Sequence, residues 1–158
     1  MKKILLAITL SLMPLGCYSI AAEVVTCESE LKEFNAFFSN NGGPIIHNIA
    51  DAVTVLRSLN STNRLPVRYI TSDEARRLGW SGHDLESLWR LKATYGKWIG
   101  GDAYRNPILP GEVPWFTADL DMQRGYRSDI RLIYSPATTQ RYISPDKYQH
   151  IFEISPCR

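Results

Sequence analysis

Apolar side chains recur at two different periods along this chain, and the change of period divides it. Leu31, Phe34, Phe37 and Phe38 fall at helical spacing, with Ser29 placed as an N-cap, and Asn40-Asn-Gly-Gly-Pro44 stops the run. Ile46, Ile49, Ala52, Val53, Leu56 and Leu59 repeat the pattern, so a stronger helix is predicted over 45–59, ending in Asn60-Ser-Thr-Asn63. Thr71-Ser-Asp-Glu74 is a capping-box sequence, and the short helix it opens ends at Leu78-Gly79-Trp80. One more helix is predicted over 84–91, burying Leu85, Leu88 and Trp89. From Lys97 onward, short alternating runs are separated by Gly, Pro, Asn and Ser, the pattern of antiparallel strands. Strands are expected at 97–101, 115–121, 126–135, 140–144 and 148–154. Helices followed by strands predict an α+β domain: N-terminal helices packed on one face of a C-terminal antiparallel sheet of about five strands. The other face is left polar as the candidate binding surface.

The first residues change the charge and redox picture. Two lysines, a short apolar run and small residues ending at Ala21 and Ala22 read as a secretory signal peptide over 1–22. Residues 23–158 then form a single domain, with 23–44 an extension and 45–158 the core. A lipoprotein anchor at Cys17 is the second reading, and Pro14 fits such a motif poorly. Of 18 Lys and Arg, Lys2 and Lys3 leave with the signal, so basic and acidic residues balance at 16 each. Affinity for a nucleic acid must therefore come from a local basic site and not from the whole-molecule field. Export places the protein in the periplasm or the external medium, where Cys27 and Cys157 form an expected disulfide. With that pair and the scattered His47, His83 and His150, no metal site is expected.

Candidate chemistry concentrates in Arg124-Gly-Tyr-Arg-Ser-Asp-Ile-Arg-Leu-Ile-Tyr134. On a strand, Arg127 and Arg131 share a face, and two guanidinium forks side by side suit a phosphate or carboxylate. In Trp115-Phe-Thr-Ala-Asp-Leu-Asp121, alternation puts Thr117, Asp119 and Asp121 on one face and Phe116, Ala118 and Leu120 on the other. Asp119 is the natural partner of the two arginines. The competing interpretation is a structural ion-pair network with no ligand. His47 carries no evident partner, His83 is expected to be exposed, and the four tryptophans are expected in the core.

Several motifs resemble the barnase-type microbial ribonucleases. They are Leu65-Pro66, Tyr69-Ile-Thr-Ser-Asp-Glu-Ala75, Leu78-Gly-Trp80, Ile99-Gly-Gly-Asp102 with Asn106, and Leu109-Pro-Gly111. Trp115-Phe-Thr-Ala-Asp119, Arg131-Leu-Ile-Tyr-Ser135 and Pro145-Asp-Lys-Tyr-Gln149 continue the series in the same order. The resemblance runs over about 65–154, and the helix at 45–59 fits the family's first helix. It implies RNA as substrate and cleavage by transphosphorylation, the ribose 2′-hydroxyl attacking its own phosphate without a cofactor. That reaction needs a base, an acid and cations for the charge that builds on phosphate. By resemblance, Arg127, Arg131 and Tyr148 fill the cation and phenol positions, with Asp102 and Asp119 as supports. Tyr104 and Asn106 match the loop aromatic and asparagine that contact the base.

The departures concern proton transfer. Thr117 stands where the family has its glutamate base, and Lys147 where it has its histidine acid. Ser72 replaces a phosphate-holding lysine, and Pro107 and Ile108 replace the arginine and glutamate of the guanine loop, leaving Glu112 as the nearest carboxylate in sequence. Lys147 is expected to act as acid if Arg127 and Arg131 lower its pKa, and Asp121 substitutes as base only if it lies on the same face within reach of the 2′-hydroxyl. The expectation is an endoribonuclease weakened by these replacements. The alternative is an inactive ribonuclease-fold protein that binds RNA or a barstar-like inhibitor, in either case a monomer without membrane association.

Overall fold

In a computed structural model, residues 23–158 are described; the expected signal peptide and Cys17 lie outside them. The elements are α1 (Cys27–Asn40), α2 (Ile49–Thr62), β1 (Tyr69–Ile70), α3 (Ser72–Arg77), β2 (Trp98–Tyr104), β3 (Trp115–Asp119), β4 (Arg131–Tyr134), β5 (Arg141–Ser144) and β6 (Phe152–Ile154). The sheet runs in chain order, β1 to β6; β1 pairs with β2 in parallel and every other pair is antiparallel. This is the α+β arrangement, with a sixth strand, β1, contributed by the two residues before the Thr71 cap.

Local chemistry explains most boundaries. Thr26, not Ser29, caps α1, its hydroxyl accepting from the Ser29 amide at 3.1 Å. Asn48 caps α2, so that helix begins after His47 and runs through to Asn63, which closes it in the left-handed region. Thr71 caps α3 through the Glu74 amide, as the capping box requires. The helix expected at 84–91 does not form; two 3-10 turns, Leu88–Arg90 and Lys92–Thr94, replace it. Leu85, expected in the core, is 93% exposed, because 81–87 is a loop whose ends are tied elsewhere. The Ser87 hydroxyl donates to the Arg124 carbonyl at 2.6 Å, and the Leu88 amide to the Gly125 carbonyl at 2.9 Å.

The strand expected at 126–135 is cut to the four residues Arg131–Tyr134. Arg124 and Gly125 both take positive φ, turning the chain into a loop before β4 begins at Arg131. Arg127 is therefore a loop residue. In β2, register shifts between Gly100 and Asp102, with Gly101 at φ +93°, a bulge that re-aims Asp102 toward α3. A Cβ on Gly100 would fall 2.5 Å from the Tyr69 ring, so the bulge admits only glycine there.

The helices supply one wall of the main core. Leu31, Phe34 and Phe38 of α1 and Val53, Leu56 and Leu59 of α2 pack with Ala118, Leu120, Leu132 and Ile143 of the sheet side. On the opposite face Leu109, Trp115 and Ile133 form a small cluster with Tyr104, Tyr142 and Tyr148 against it. Trp80 and Trp98 are buried, as expected, and Trp89 is half-buried. The bonded Cys27–Cys157 pair ties the start of α1 to the chain's last residues across 130 positions. Replacing both cysteines by alanine is expected to lower stability by about 2–5 kcal/mol, read as a shift of the urea midpoint. An unchanged midpoint would mean that α1 and the C-terminal segment hold together through packing alone.

Candidate active site

Asp119 ends β3 on the face away from the helices, buried to 1% exposure. Arg127 meets it edge on, Nε donating to Oδ2 at 2.7 Å and Nη2 to Oδ1 at 2.9 Å. Arg131, opposite Asp119 in the β3–β4 register, brings Nε to 3.2 Å from Oδ1. Arg131 Nη1 donates to the Ser128 and Ile130 carbonyls, and among the described residues Nη2 has no hydrogen-bond partner. The two arginines do converge, through a shared carboxylate and a loop and not through alternation on one strand. Burial raises the Asp119 carboxyl above its usual range, and the two guanidinium groups hold it in the carboxylate form that the bidentate pair requires. Burial works against the Arg127 charge, and the hydrogen-bonded Asp119 outweighs it, lifting the guanidinium above its ordinary value.

Lys147 and Tyr148 reach the same place from the β5–β6 connection. Both take positive φ, at 51° and 71°, an uncommon pair for side chains with a Cβ. The turn is pinned by the Tyr148 amide donating to Ser144 Oγ at 2.7 Å and the Lys147 amide donating to the Asp129 carbonyl at 2.9 Å. Asp146 accepts from the His150 amide at 2.9 Å and pairs with its ring Nδ1 at 2.6 Å, so His150 serves the turn. Burial raises the Tyr148 phenol; the Thr117 hydroxyl and Arg131 pull the other way without reversing the shift. Tyr148 therefore stays a neutral donor beside the arginines.

The remaining candidate residues divide into two groups. Ser72 is joined to Asp102, its amide donating to Oδ1 at 2.9 Å and its hydroxyl to Oδ2, which fixes the start of α3 against the β2 bulge. Tyr104 stacks on Tyr148 with ring centroids 4.6 Å apart and accepts a bond from the Asn106 side-chain amide at 3.1 Å. One face of the Tyr104 ring is thus already covered. Tyr104, Asn106 and Glu112 line an open groove that also includes Arg105 and Trp115, while Ile108 lies 70% exposed.

Two expectations are corrected. Asp121 does not share a face with Thr117 and Asp119. It sits beyond the end of β3 at φ +58°, accepts from the Asn48 amide at 3.0 Å and pairs with His47 Nδ1 at 2.7 Å. It braces the start of α2 and gives His47 the partner that the sequence did not reveal, so it supplies no base to the arginines. Nor do Arg127 and Arg131 lower the Lys147 pKa. The Asp84 carboxylate, 2.9 Å from Nζ, raises it by hydrogen bond and charge, with Asp129 at 3.4 Å adding to the effect. Asp84 is the site residue that sequence reasoning missed, because it was assigned to a helix that does not exist. Its only legible signal was the preceding Gly82.

No family model matches the chain. It is 38% identical over 78 residues to a protein named Ribonuclease from Heyndrickxia coagulans, covering 46% of this chain and 67% of that protein. The same identity and length hold for proteins named Ribonuclease from Bacillus intermedius and Bacillus pumilus, 45% of each being covered. The chain belongs to the barnase-type microbial ribonuclease family. It spans about half the length of the two Bacillus relatives. Arg127 and Arg131 meet at Asp119, Arg127 and Lys147 meet at Asp84, and Tyr148 lies beside Thr117 and Arg131.

Removing Asp119 takes the counter-charge from the buried Arg131 and the bidentate partner from Arg127, which keeps only Asp84 at 3.5 Å. Asp119→Ala is expected to cost about 3–5 kcal/mol, measured by chemical denaturation. A loss below about 1 kcal/mol would mean that carbonyls and solvent satisfy the arginines without it.

Proposed function

We propose that this protein is an exported endoribonuclease that cleaves RNA by transphosphorylation, with a proton-transfer pair weaker than the family's usual one. The observation that carries the reading is the gathering of Arg127, Arg131 and Tyr148 at Asp119, with Lys147 joined to Arg127 through Asp84. Family membership supports it, and the relatives' name, Ribonuclease, supports RNA as the substrate. In the reaction the 2′-oxygen bonds to phosphorus as the bond to the 5′-oxygen breaks, giving a cyclic phosphate and a free 5′-hydroxyl. Arg127 Nη1, Arg131 Nη2 and the Tyr148 phenol would bind the oxygens on which charge grows. Lys147 would donate to the leaving oxygen. Thr117 relays no proton well, so removal of the 2′-proton falls largely to water, and the rate suffers for it. Export is supported by the signal-like residues 1–22 and by the Cys27–Cys157 bond.

A second reading, a binding protein for RNA or a barstar-like inhibitor, is favoured by one observation. Among the described residues, the carboxylates nearest the arginines, Asp119 and Asp84, are both ion-paired with them. A fluorescent RNA containing every dinucleotide step separates the readings. The enzyme releases cyclic-phosphate products, and Arg127→Ala slows this by about a hundredfold or more; binding without cleavage would establish the second reading. Thr117→Glu with Lys147→His is expected to raise cleavage about a hundredfold or more. No gain in a folded double variant would mean that the two positions do not face one phosphate.

Lysine chemistry sets a pH expectation. Because the Lys147 pKa is raised, its ammonium is fully present below the ordinary lysine value of about 10.4 and is lost only above it. Inorganic phosphate binding, at constant phosphate charge, is expected to stay level from about pH 7.5 to 9 and to fall above about 10.4. A fall beginning below about pH 9 would assign the titration to another group.

A further inference from the structure

The loop between α3 and the first 3-10 turn delivers Asp84 to the centre of the cationic cluster. Its Oδ2 lies 2.9 Å from Lys147 Nζ and its Oδ1 3.5 Å from Arg127 Nη1, the guanidinium nitrogen not engaged by Asp119. Arg131 acts on it as a third positive charge. Burial opposes ionisation of Asp84, and the Lys147 hydrogen bond with the Arg127 charge overcomes it, so the group remains a carboxylate. A carboxylate oxygen pair resembles two oxygens of a phosphate in charge and spacing, and it holds the donors that an oxyanion ligand would need.

The construction of the loop fits a movable tip on fixed ends. Trp80 Nε1 donates to the Glu86 carbonyl at 3.2 Å, and Ser87 and Leu88 are bonded to the 124–125 turn. Between these anchors Gly82 takes φ +89° and Leu85 stands in solvent, so Asp84 is carried by a short segment with little packing of its own.

We propose that Asp84 is a built-in competitor for the oxyanion site, displaced when a polyanion binds. The inference rests on the reading of the cluster as a phosphate site and narrows its ligand class. A carboxylate tethered this closely competes at high effective concentration. A lone phosphate must displace it with few new contacts. A nucleic acid strand makes further contacts with its neighbouring phosphates and bases, and so recovers what the displacement costs. The displacement cost is the same for every ligand that fills the site, so a strand with affinity to spare still binds at concentrations where free phosphate does not.

Asp84→Asn removes the competing charge at nearly constant shape. Asp129→Asn is the control, because Asp129 also pairs with Lys147, at 3.4 Å, but its side chain is 62% exposed and, among the described residues, forms no ion pair with either arginine. Calorimetry with inorganic phosphate and with a short DNA oligomer, which lacks the 2′-hydroxyl and is not cut, measures affinity apart from catalysis. A competitor that fills the site nine-tenths of the time weakens apparent affinity about tenfold. Asp84→Asn is therefore expected to bind phosphate about tenfold more tightly than wild type, with a similar gain for the oligomer and less than about a twofold gain in Asp129→Asn. Equal gains in the two variants would reduce the effect to general charge and overturn the proposal. So would unchanged phosphate affinity in Asp84→Asn, or lost RNA cleavage without tighter binding, which would make Asp84 the missing base. If neither wild type nor Asp84→Asn binds phosphate or oligomer, the phosphate-site reading fails and the competitor falls with it. Binding by wild type with no gain in Asp84→Asn sinks the competitor alone.

Discussion

One buried carboxylate organises the open face of this sheet. Asp119 sits at the end of β3 with almost no solvent contact and takes a bidentate bond from Arg127 and a third contact from Arg131. Burying three ionised groups is costly unless each is paired, and the pairing fixes their geometry. Arg127 has no strand to hold it, since it lies in the loop between β3 and β4, so its position depends on this bond. Asp119 also anchors the sheet's other edge: its carbonyl accepts from the Tyr69 hydroxyl at 2.8 Å. The residue that fixes the arginines through its side chain thus ties β1 to β3 through its backbone.

Around that fixed pair, the groups that face a ligand are carried by backbone in strained or loosely packed conformations. Lys147 and Tyr148 occupy the left-handed region in succession, pinned by Ser144 and Asp129, and Asp84 projects from a loop tied to the 124–125 turn at its far end. A rigid carboxylate–arginine base with adjustable groups above it is a reasonable division of labour for a site that must admit and release a charged chain. On our reading, the altered proton-transfer positions and the Asp84 loop belong together. Raising the Lys147 pKa and filling the donors with an internal anion both reduce the readiness of the site in the absence of ligand.

The fold was largely legible because its signals are local. The caps at Thr71 and Asn63, the apolar period of α2 and the alternation in β3 each express a short-range preference that packing reinforces. Where tertiary contacts decide, legibility fails. Leu85, Leu88 and Trp89 have helical spacing, yet bonds from Ser87 and Leu88 to the 124–125 turn hold that segment as a loop and 3-10 turns, exposing Leu85. Positive φ at Arg124 and Gly125 shortens β4, a choice invisible in a sequence rich in strand formers. In the site, the Asp119–arginine association was readable from residue type. Asp121's diversion to His47 and Asn48, and Asp84's arrival at Lys147, depend on segments more than sixty residues apart and carry no sequence period.

The central claim is that the side chains gathered over Asp119 form a site for a tetrahedral oxyanion. A crystal soaked in tungstate, an electron-dense tetrahedral dianion, tests it directly. The account requires the anion within hydrogen-bond distance of Arg127, Arg131 and Tyr148, with the Asp119–Arg127 pair intact. Tungstate bound only elsewhere, with these three side chains turned away from any shared point, would contradict it.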